Sequence, residues 1–417
     1  MPVIHVLQQI RQEDDSQTSR IDEKAVKLKW HDDTFLNVED LLRSTFPSNC
    51  FIFLSSTSLK SERRRREISA RFQIPSWFWD ESYQRSNGSF GGQTISEGDP
   101  VIDCQQTWFR FLVKQLEKNV SSADLGYFWH EMGFFTQSTA PNRTTVLCFD
   151  VPYSFRHGLQ QSLRLSSGKG HDYNRYTLHR FLTSEVINLY DTSVWTIRDV
   201  VRDVERNRNS NKQTEPDFPA LHELARHAIH SSETLDVAVE TVSEMICHHK
   251  GPFSEEATPT ALERSRLQQT RQLFQFQLQT LKSLKARSHS NQSRLQNEIT
   301  LAFNMVTQRD SQATVRIGEA ARSDSAAMKT VAVLTLTFLP ATFVSAIFST
   351  QFFNFTPESP SGQDSWVISS HFWIYWAFSA PLTIVTIILW FVWRRRYTDR
   401  GVTYEMYERS GQQQRLP

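Results

Sequence analysis

Two stretches near the carboxyl end of this 417-residue chain carry no formal charge: 28 residues between Lys329 and Glu358, and 29 between Asp364 and Arg394. A helix rises about 1.5 Å per residue, so about 20 residues cross an apolar bilayer core of about 30 Å. Each stretch is long enough to cross once. Trp373, Trp376, Trp390 and Trp393 cluster at the two ends of the second, where interfacial indoles belong. The expected spans are residues 328–350 and 371–393, joined by a loop at 351–370. Pro340 and Pro381 interrupt the ladder of each span, which membrane helices tolerate because neighbours re-satisfy the freed carbonyls.

Flanking charge sets the expected orientation. Arg394, Arg395 and Arg396 follow the second span, whereas the loop holds Glu358 and Asp364 and no Lys or Arg. By the positive-inside rule the tail at 394–417 is cytosolic and the loop faces outward, and two crossings return the long amino-terminal part to the cytosol. The opening MPVIHVLQQI, followed by Arg11, Glu13, Asp14 and Asp15, lacks the basic start and long apolar run of a secretory signal, and its acids disfavour a mitochondrial presequence. The plasma membrane is expected over an organelle.

Elsewhere the composition suits a folded cytosolic part. The 46 basic and 45 acidic residues nearly cancel, so no nucleic-acid partner is expected. Cys50, Cys104, Cys148 and Cys247 form no C-x-x-C pair, which disfavours a disulfide framework and a zinc module. Aromatic and β-branched runs at Lys27–Trp30, Cys50–Leu54, Gly126–Phe135 and Thr144–Phe149 read as strands. Helical spacing marks Val38–Ser44, Leu59–Phe72 and Thr107–Lys118, with a surface loop at 86–92. The reading is an α/β cytosolic domain over 1–176. A helical pair follows at 177–258, its helices expected at Leu178–Arg206 and Pro219–Lys250. From Thr260 to Ile317 there is neither proline nor glycine, so 259–327 reads as a long helical stalk of coiled-coil type, either one helix or two jointed near Lys285–Ser293. Leu267, Phe274, Leu281, Leu295 and Ala302 form one apolar row; Ile299, Val306, Ala313, Ala320 and Ala327 form the next, thinning to alanine toward the membrane.

Within the first span Met328, Thr335, Thr342 and Ser349 recur at intervals of seven and share one face. Such helices around an axis would stack an apolar methionine ring and then hydroxyl rings. Mg²⁺ gives up its waters reluctantly, and hydroxyls can hold the hydrated ion through them. The competing reading is that these hydroxyls bond back to their own helix or glue helices together. Asp310 and Asp324 are fourteen apart, with Glu319 nearby, and read either as cation ligands between subunits or as a solvated face. Glu358 and Asp364 are the outer-mouth acids, which either concentrate cations or are ordinary loop charges. His222-Glu223 with His227 fails the H-E-x-x-H spacing, His248-His249 reads as surface, and Arg63–Arg66 as a solvated helix face. Nothing in these motifs points to an enzyme or a cofactor.

The order of long helix, span, short acidic loop, span and basic tail behind an α/β domain resembles the CorA-type divalent-cation channels. Met328-Lys329-Thr330 and Phe338-Leu339-Pro340-Ala341-Thr342-Phe343-Val344-Ser345-Ala346-Ile347-Phe348 carry the resemblance, matching M-K-x-L-T and F-x-P-x-T-F-I-x-G-I-Y. The runs SWFWDESYQRSNGSFGG and FWHEMGFFTQ look like the divergent CorA-like proteins of filamentous fungi. The resemblance implies a homopentamer that moves Mg²⁺ or another divalent cation, such as Zn²⁺, Co²⁺ or Ni²⁺. It implies a path lined by Ser325, Met328, Val331, Thr335, Leu339, Thr342, Ala346, Ser349 and Gln351, with membrane lipid around it and stalk carboxylates that sense cytosolic Mg²⁺. One departure stands out: where magnesium-transporting members carry Gly-Met-Asn, this chain has Ser349-Thr350-Gln351, and Ser325 stands where they have asparagine.

Overall fold

The computed structural model describes residues 4–12, 27–35, 38–46, 49–97, 102–117, 126–139, 143–166, 175–207, 216–249, 261–348, 353–356, 365–368, 370 and 372–413. In chain order the strands are β1 (Ile4–Gln12), β2 (Lys27–Phe35), β3 (Cys50–Leu54), β4 (Gly88–Glu97), β5 (Ile102–Leu116), β6 (Tyr127–Thr139), β7 (Arg143–Phe149), β8 (Phe353–Thr356) and β9 (Ser365–Ile368). The helices are α1 (Val38–Arg43), α2 (Glu62–Phe72), α3 (Glu81–Gln84), α4 (Tyr153–Ser166), α5 (Arg175–Asn207), α6 (Phe218–His248), α7 (Ala261–Phe348) and α8 (Phe372–Gln413). The chain divides into two compact units, Met1–Val306 and Thr307–Pro417.

The first unit is built on a seven-stranded sheet in the order β2-β1-β3-β7-β6-β5-β4. Only β3 and β7 pair parallel, with Cys50 opposite Thr145 and Leu54 opposite Phe149. That pairing needs a long crossover, and β4–β6 fill part of it as an antiparallel meander. Both faces are covered. On one, Ile52, Leu54 and Leu147 pack with Leu41 of α1, Ile68 and Phe72 of α2 and Phe78 of the 3-10 turn at Ser76–Trp79. On the other, Phe109, Phe111, Phe134 and Val146 pack with Leu159 of α4, Leu182 and Tyr190 of α5, Val242 of α6 and Phe274 of α7.

Two sequence expectations fail here. Thr107–Lys118, read as a helix, is most of strand β5, paired on both edges from Cys104 to Phe111. A strand with apolar neighbours on both faces loses its alternation and becomes a run whose spacing also fits a helix. The loop expected at 86–92 is largely strand β4, with Gly88 opposite Phe111. Its glycines admit neighbours instead of turning the chain: a Cβ on Gly91 would lie 2.5 Å from the Trp108 ring and one on Gly92 2.5 Å from His248.

Helices α5 and α6 answer the expected pair, and α7 is one helix of 88 residues without a joint at 285–293. Along its first part Phe274, Gln277, Leu281, Leu284, Ser288, Asn291 and Leu295 are buried in alternating steps of three and four, a heptad seam. The polar members have a job. Gln277 donates to Arg180 O at 2.9 Å and Asn291 to Val194 O at 3.2 Å, so donors fourteen apart meet acceptors fourteen apart on α5. Arg294 pairs with both oxygens of Glu205, and Lys285 lies 3.0 Å from Asp236 of α6.

Candidate functional site

In the second unit, α7 and α8 each contain a segment long and apolar enough to cross a membrane, and only 11 % and 6 % of the two apolar windows are buried. That exposure separates them from core helices of a soluble domain, which pass the same test of length but are mostly buried. The two segments touch along one line. Pro340 and Val344 of α7 and Ser379 of α8 are buried there, and Tyr375 Oη donates to Ala341 O at 3.4 Å. Pro340 has no N–H, which leaves Leu336 O without its usual intrahelical donor at the level of this contact.

At about 100° per residue, Ser325, Met328, Val331, Thr335, Leu339, Thr342 and Ala346 fall within an arc of about 120°. Pro340 and Val344 lie about 120° and 160° around the helix from Met328. The second segment therefore packs against the side facing away from the hydroxyl stripe, and every residue of the stripe is exposed in the single chain. Met328 is 73 % exposed and Leu339 61 %. Where the stripe borders the groove between the segments, Leu339 and Thr342 stand with Leu382 and Thr386.

The hydroxyls have a definite polarity. Thr335 Oγ1 donates to Val331 O at 2.8 Å, and Thr342 Oγ1 is 3.0 Å from Phe338 O and 2.9 Å from Leu339 O. With their protons turned onto the helix, these groups present oxygen lone pairs outward, as acceptors. Back-bonding and lining a path thus coexist, because the back-bond uses the proton and leaves the acceptor.

Ser349, Gln351, Glu358 and Asp364 lie outside the described residues. The expected loop contains a two-stranded antiparallel hairpin, β8 with β9, in which Phe353 faces Ile368 and Thr356 faces Ser365. Asp310, Glu319 and Asp324 are exposed on α7. Asp310 and Asp324 lie within about 40° of one another, but Glu319 falls about 180° from Asp310, so it cannot share their stripe. Among the described residues no group of three or more His, Cys, Asp or Glu is placed to hold a metal ion.

Other residues singled out in the sequence have structural partners. Arg64 and Arg65 donate to Ser58 O and Leu59 O, while Arg63 and Arg66 pair with Glu67 and Glu62 one turn away. His248 and His249 are not on the surface as expected: they are half-buried, against Phe90 and against Tyr176 and Phe274. The sequence reading also missed the line of contact through Tyr375 and Ser379; a polar residue on each of two successive turns of an apolar segment was the available signal.

No family model matches the chain. It is 33% identical over 232 residues to the Notoamide biosynthesis cluster protein M′ of Aspergillus versicolor, covering 51% of this chain and 48% of that protein, so the chain spans about half the length of the curated relative it matches. Among solved structures it is similar to the CorA magnesium transporter of Methanocaldococcus jannaschii, at a TM-score of 0.43 and 10% identity over 93% of this chain and 97% of that one. It is also similar to the full-length CmaX protein, with a TM-score of 0.35 and 13% identity over 84% and 90% of the two chains. The ZntB cytoplasmic domain of Vibrio parahaemolyticus aligns with a TM-score of 0.38 and 10% identity, over 64% of this chain and 90% of that one.

Proposed function

We propose that this chain is a subunit of a CorA-like metal-ion channel or transporter, a homopentamer with both termini in the cytosol and Mg²⁺ as its leading ion. The observation that carries the reading is the stripe itself. Seven residues on one arc of α7 are exposed in the single chain, as are Phe338 and Ile347 outside it, and what sets the arc apart is that the Thr335 and Thr342 hydroxyls offer acceptors there. Waters around a small divalent cation direct their protons outward, so a ring of acceptor oxygens suits a hydrated cation better than a bare one. The apolar Met328 ring at the cytosolic end would gate by drying. Under this reading the segment that holds Glu358 and Asp364 is on the outer side of the membrane and Arg394–Arg396 on the cytosolic side.

Cation uptake by liposomes holding the purified chain tests it. Thr342→Leu is expected to cut flux at least tenfold while leaving expression and oligomer size unchanged, since leucine suits a membrane helix as well as threonine does. Met328→Ala is expected to raise leak. Equal uptake in wild type, Thr342→Leu and protein-free liposomes would remove the channel reading.

Ser349-Thr350-Gln351 favours a second reading, a non-conducting, membrane-anchored interaction or sensor protein that keeps the architecture without the Gly-Met-Asn turn. Its expectation is no flux at all, with Thr342→Leu altering helix packing by about 1 kcal/mol.

A further inference from the structure

Three histidines distant in sequence or on a helix end meet inside the first unit. His179 of α5 is fully buried. Its Nε2 is 3.1 Å from Oγ1 of Thr107 on β5 and 3.1 Å from Oγ1 of Thr136 on β6, and its Nδ1 has no hydrogen-bond partner. His249, which caps the end of α6, lies nearly parallel to the His179 ring with centroids 5.9 Å apart. The same ring is 4.0 Å from Tyr176 and 4.8 Å from Phe274 of α7, and its buried Nε2 is unpartnered. His248, the last residue of α6, packs against β4, 5.3 Å from the Phe90 ring and over Gly92, with Nδ1 buried and unpartnered.

The surroundings hold no compensating acid among the described residues. Strand β4 contributes Phe90 and Gly92, β5 Thr107 and Phe109, β6 Thr136 and α7 Phe274. From α5 come Tyr176 and Arg175, whose guanidinium lies 4.5 Å from the Tyr176 centroid. Burial, the neighbouring imidazoles and Arg175 all oppose a proton here, and they hold His249 down to about 3 and His179 and His248 below the ordinary histidine range. Each ring also lacks the acceptor that a second N–H would need.

We propose that His179, His248 and His249 form an acid-opened latch, which ties the last turn of α6 and the early turns of α7 to the sheet when neutral and releases them when protonated. Once released, the imidazoles meet water and regain an ordinary affinity near pH 6.5. The open form therefore binds protons first. The closed form is fully favoured above about pH 6.5 and loses about tenfold per pH unit for each histidine as the pH falls toward the closed-form values. Because α7 is continuous from Ala261 to Phe348, the latch acts at the root of the helix that carries the exposed stripe. The inference stands whether or not the chain conducts.

Hydrogen exchange read by mass spectrometry tests it on the full chain in lipid nanodiscs at pH 7.5 and 5.5, after correction for the pH dependence of intrinsic exchange. Opening over 175–183, 241–249 and 268–281 is expected to rise at least tenfold at pH 5.5, while α2, which holds no histidine, stays level. His249→Gln removes one titrating ring and is expected to shrink that rise about tenfold; His248→Gln, at a half-exposed position, serves the same purpose should the first fail to fold. Equal corrected exchange at the two pH values, or an undiminished rise in the folded variants, would overturn the latch.

Discussion

Helix α7 is two different objects along one continuous backbone. From Phe274 to Leu295 it has a closed seam: seven positions in three-four steps are buried against the chain's own α5 and α6, and Gln277 and Asn291 among them reach acceptors on α5. From Phe303 toward the membrane the same helix has no such seam. Phe303, Met305, Val315, Ile317 and the residues of the stripe are exposed in the single chain. So many exposed apolar residues along one helix are the usual mark of a surface that meets something other than water. The first half is packed by the chain's own helices, whereas the apolar residues named in the second stay exposed in the single chain.

The contrast can be broken most severely by cutting volume on each side of it. Leu281→Ala, at a fully buried seam position, is expected to lower the stability of the first unit by about 2–5 kcal/mol. Phe303→Ala, outside the seam, is expected to leave that unit within about 0.5 kcal/mol of wild type. Urea midpoints of the two variants check this, and equal losses would erase the distinction.

Acid sharpens it next. His227 of α6 is fully buried, and burial first, then Lys114, push it down to about 4 in spite of Glu223. The unfolded chain takes up this proton near pH 6.5, so stability is intact above that value and is lost as the pH falls from about 6.5 to about 4. His227→Gln is expected to remove one proton from the slope of urea midpoint against pH across this window. A slope unchanged by the substitution would place the acid sensitivity elsewhere.

The smallest effect belongs to the ion pair beside the seam. Arg294 and Glu205 meet through two bonds, yet their side chains are 33% and 25% exposed. Arg294→Ala is expected to cost at most about 1 kcal/mol in low salt and less in high salt, as salt-dependent midpoints would register. A larger loss would mean that charge, more than the apolar seam, holds α7 to α5.

Much of this was legible beforehand, and the failures have physical reasons. Cys50–Leu54 reads as a strand because its five residues are apolar and bounded by turn-formers, and β3 has those bounds. The row Phe274, Leu281, Leu295 was visible as spacing and is the apolar part of the seam. Thr107–Lys118 was misread because burial on both faces erases alternation, the one local signal that tells strand from helix. His248-His249 looked like a surface pair because hydrophilicity is a property of a residue, whereas burial depends on what folds over it; Phe90, Tyr176 and Phe274 come from three distant segments.

What the sequence determined by itself is whatever depends on a run of neighbours: two apolar segments of membrane-crossing length, a helical stretch free of proline between Pro259 and Pro340, and hydroxyls seven apart on one face. Length, charge and period survive any arrangement of the rest. Which face meets the second segment did not follow from them, because several faces of the first segment are apolar enough to pack. Tertiary structure decided it: Tyr375 of α8 donates to Ala341 O, beside the buried Pro340 and Val344. It also decided the polarity of Thr335 and Thr342, each of which turns its proton onto the helix and leaves its oxygen as an acceptor.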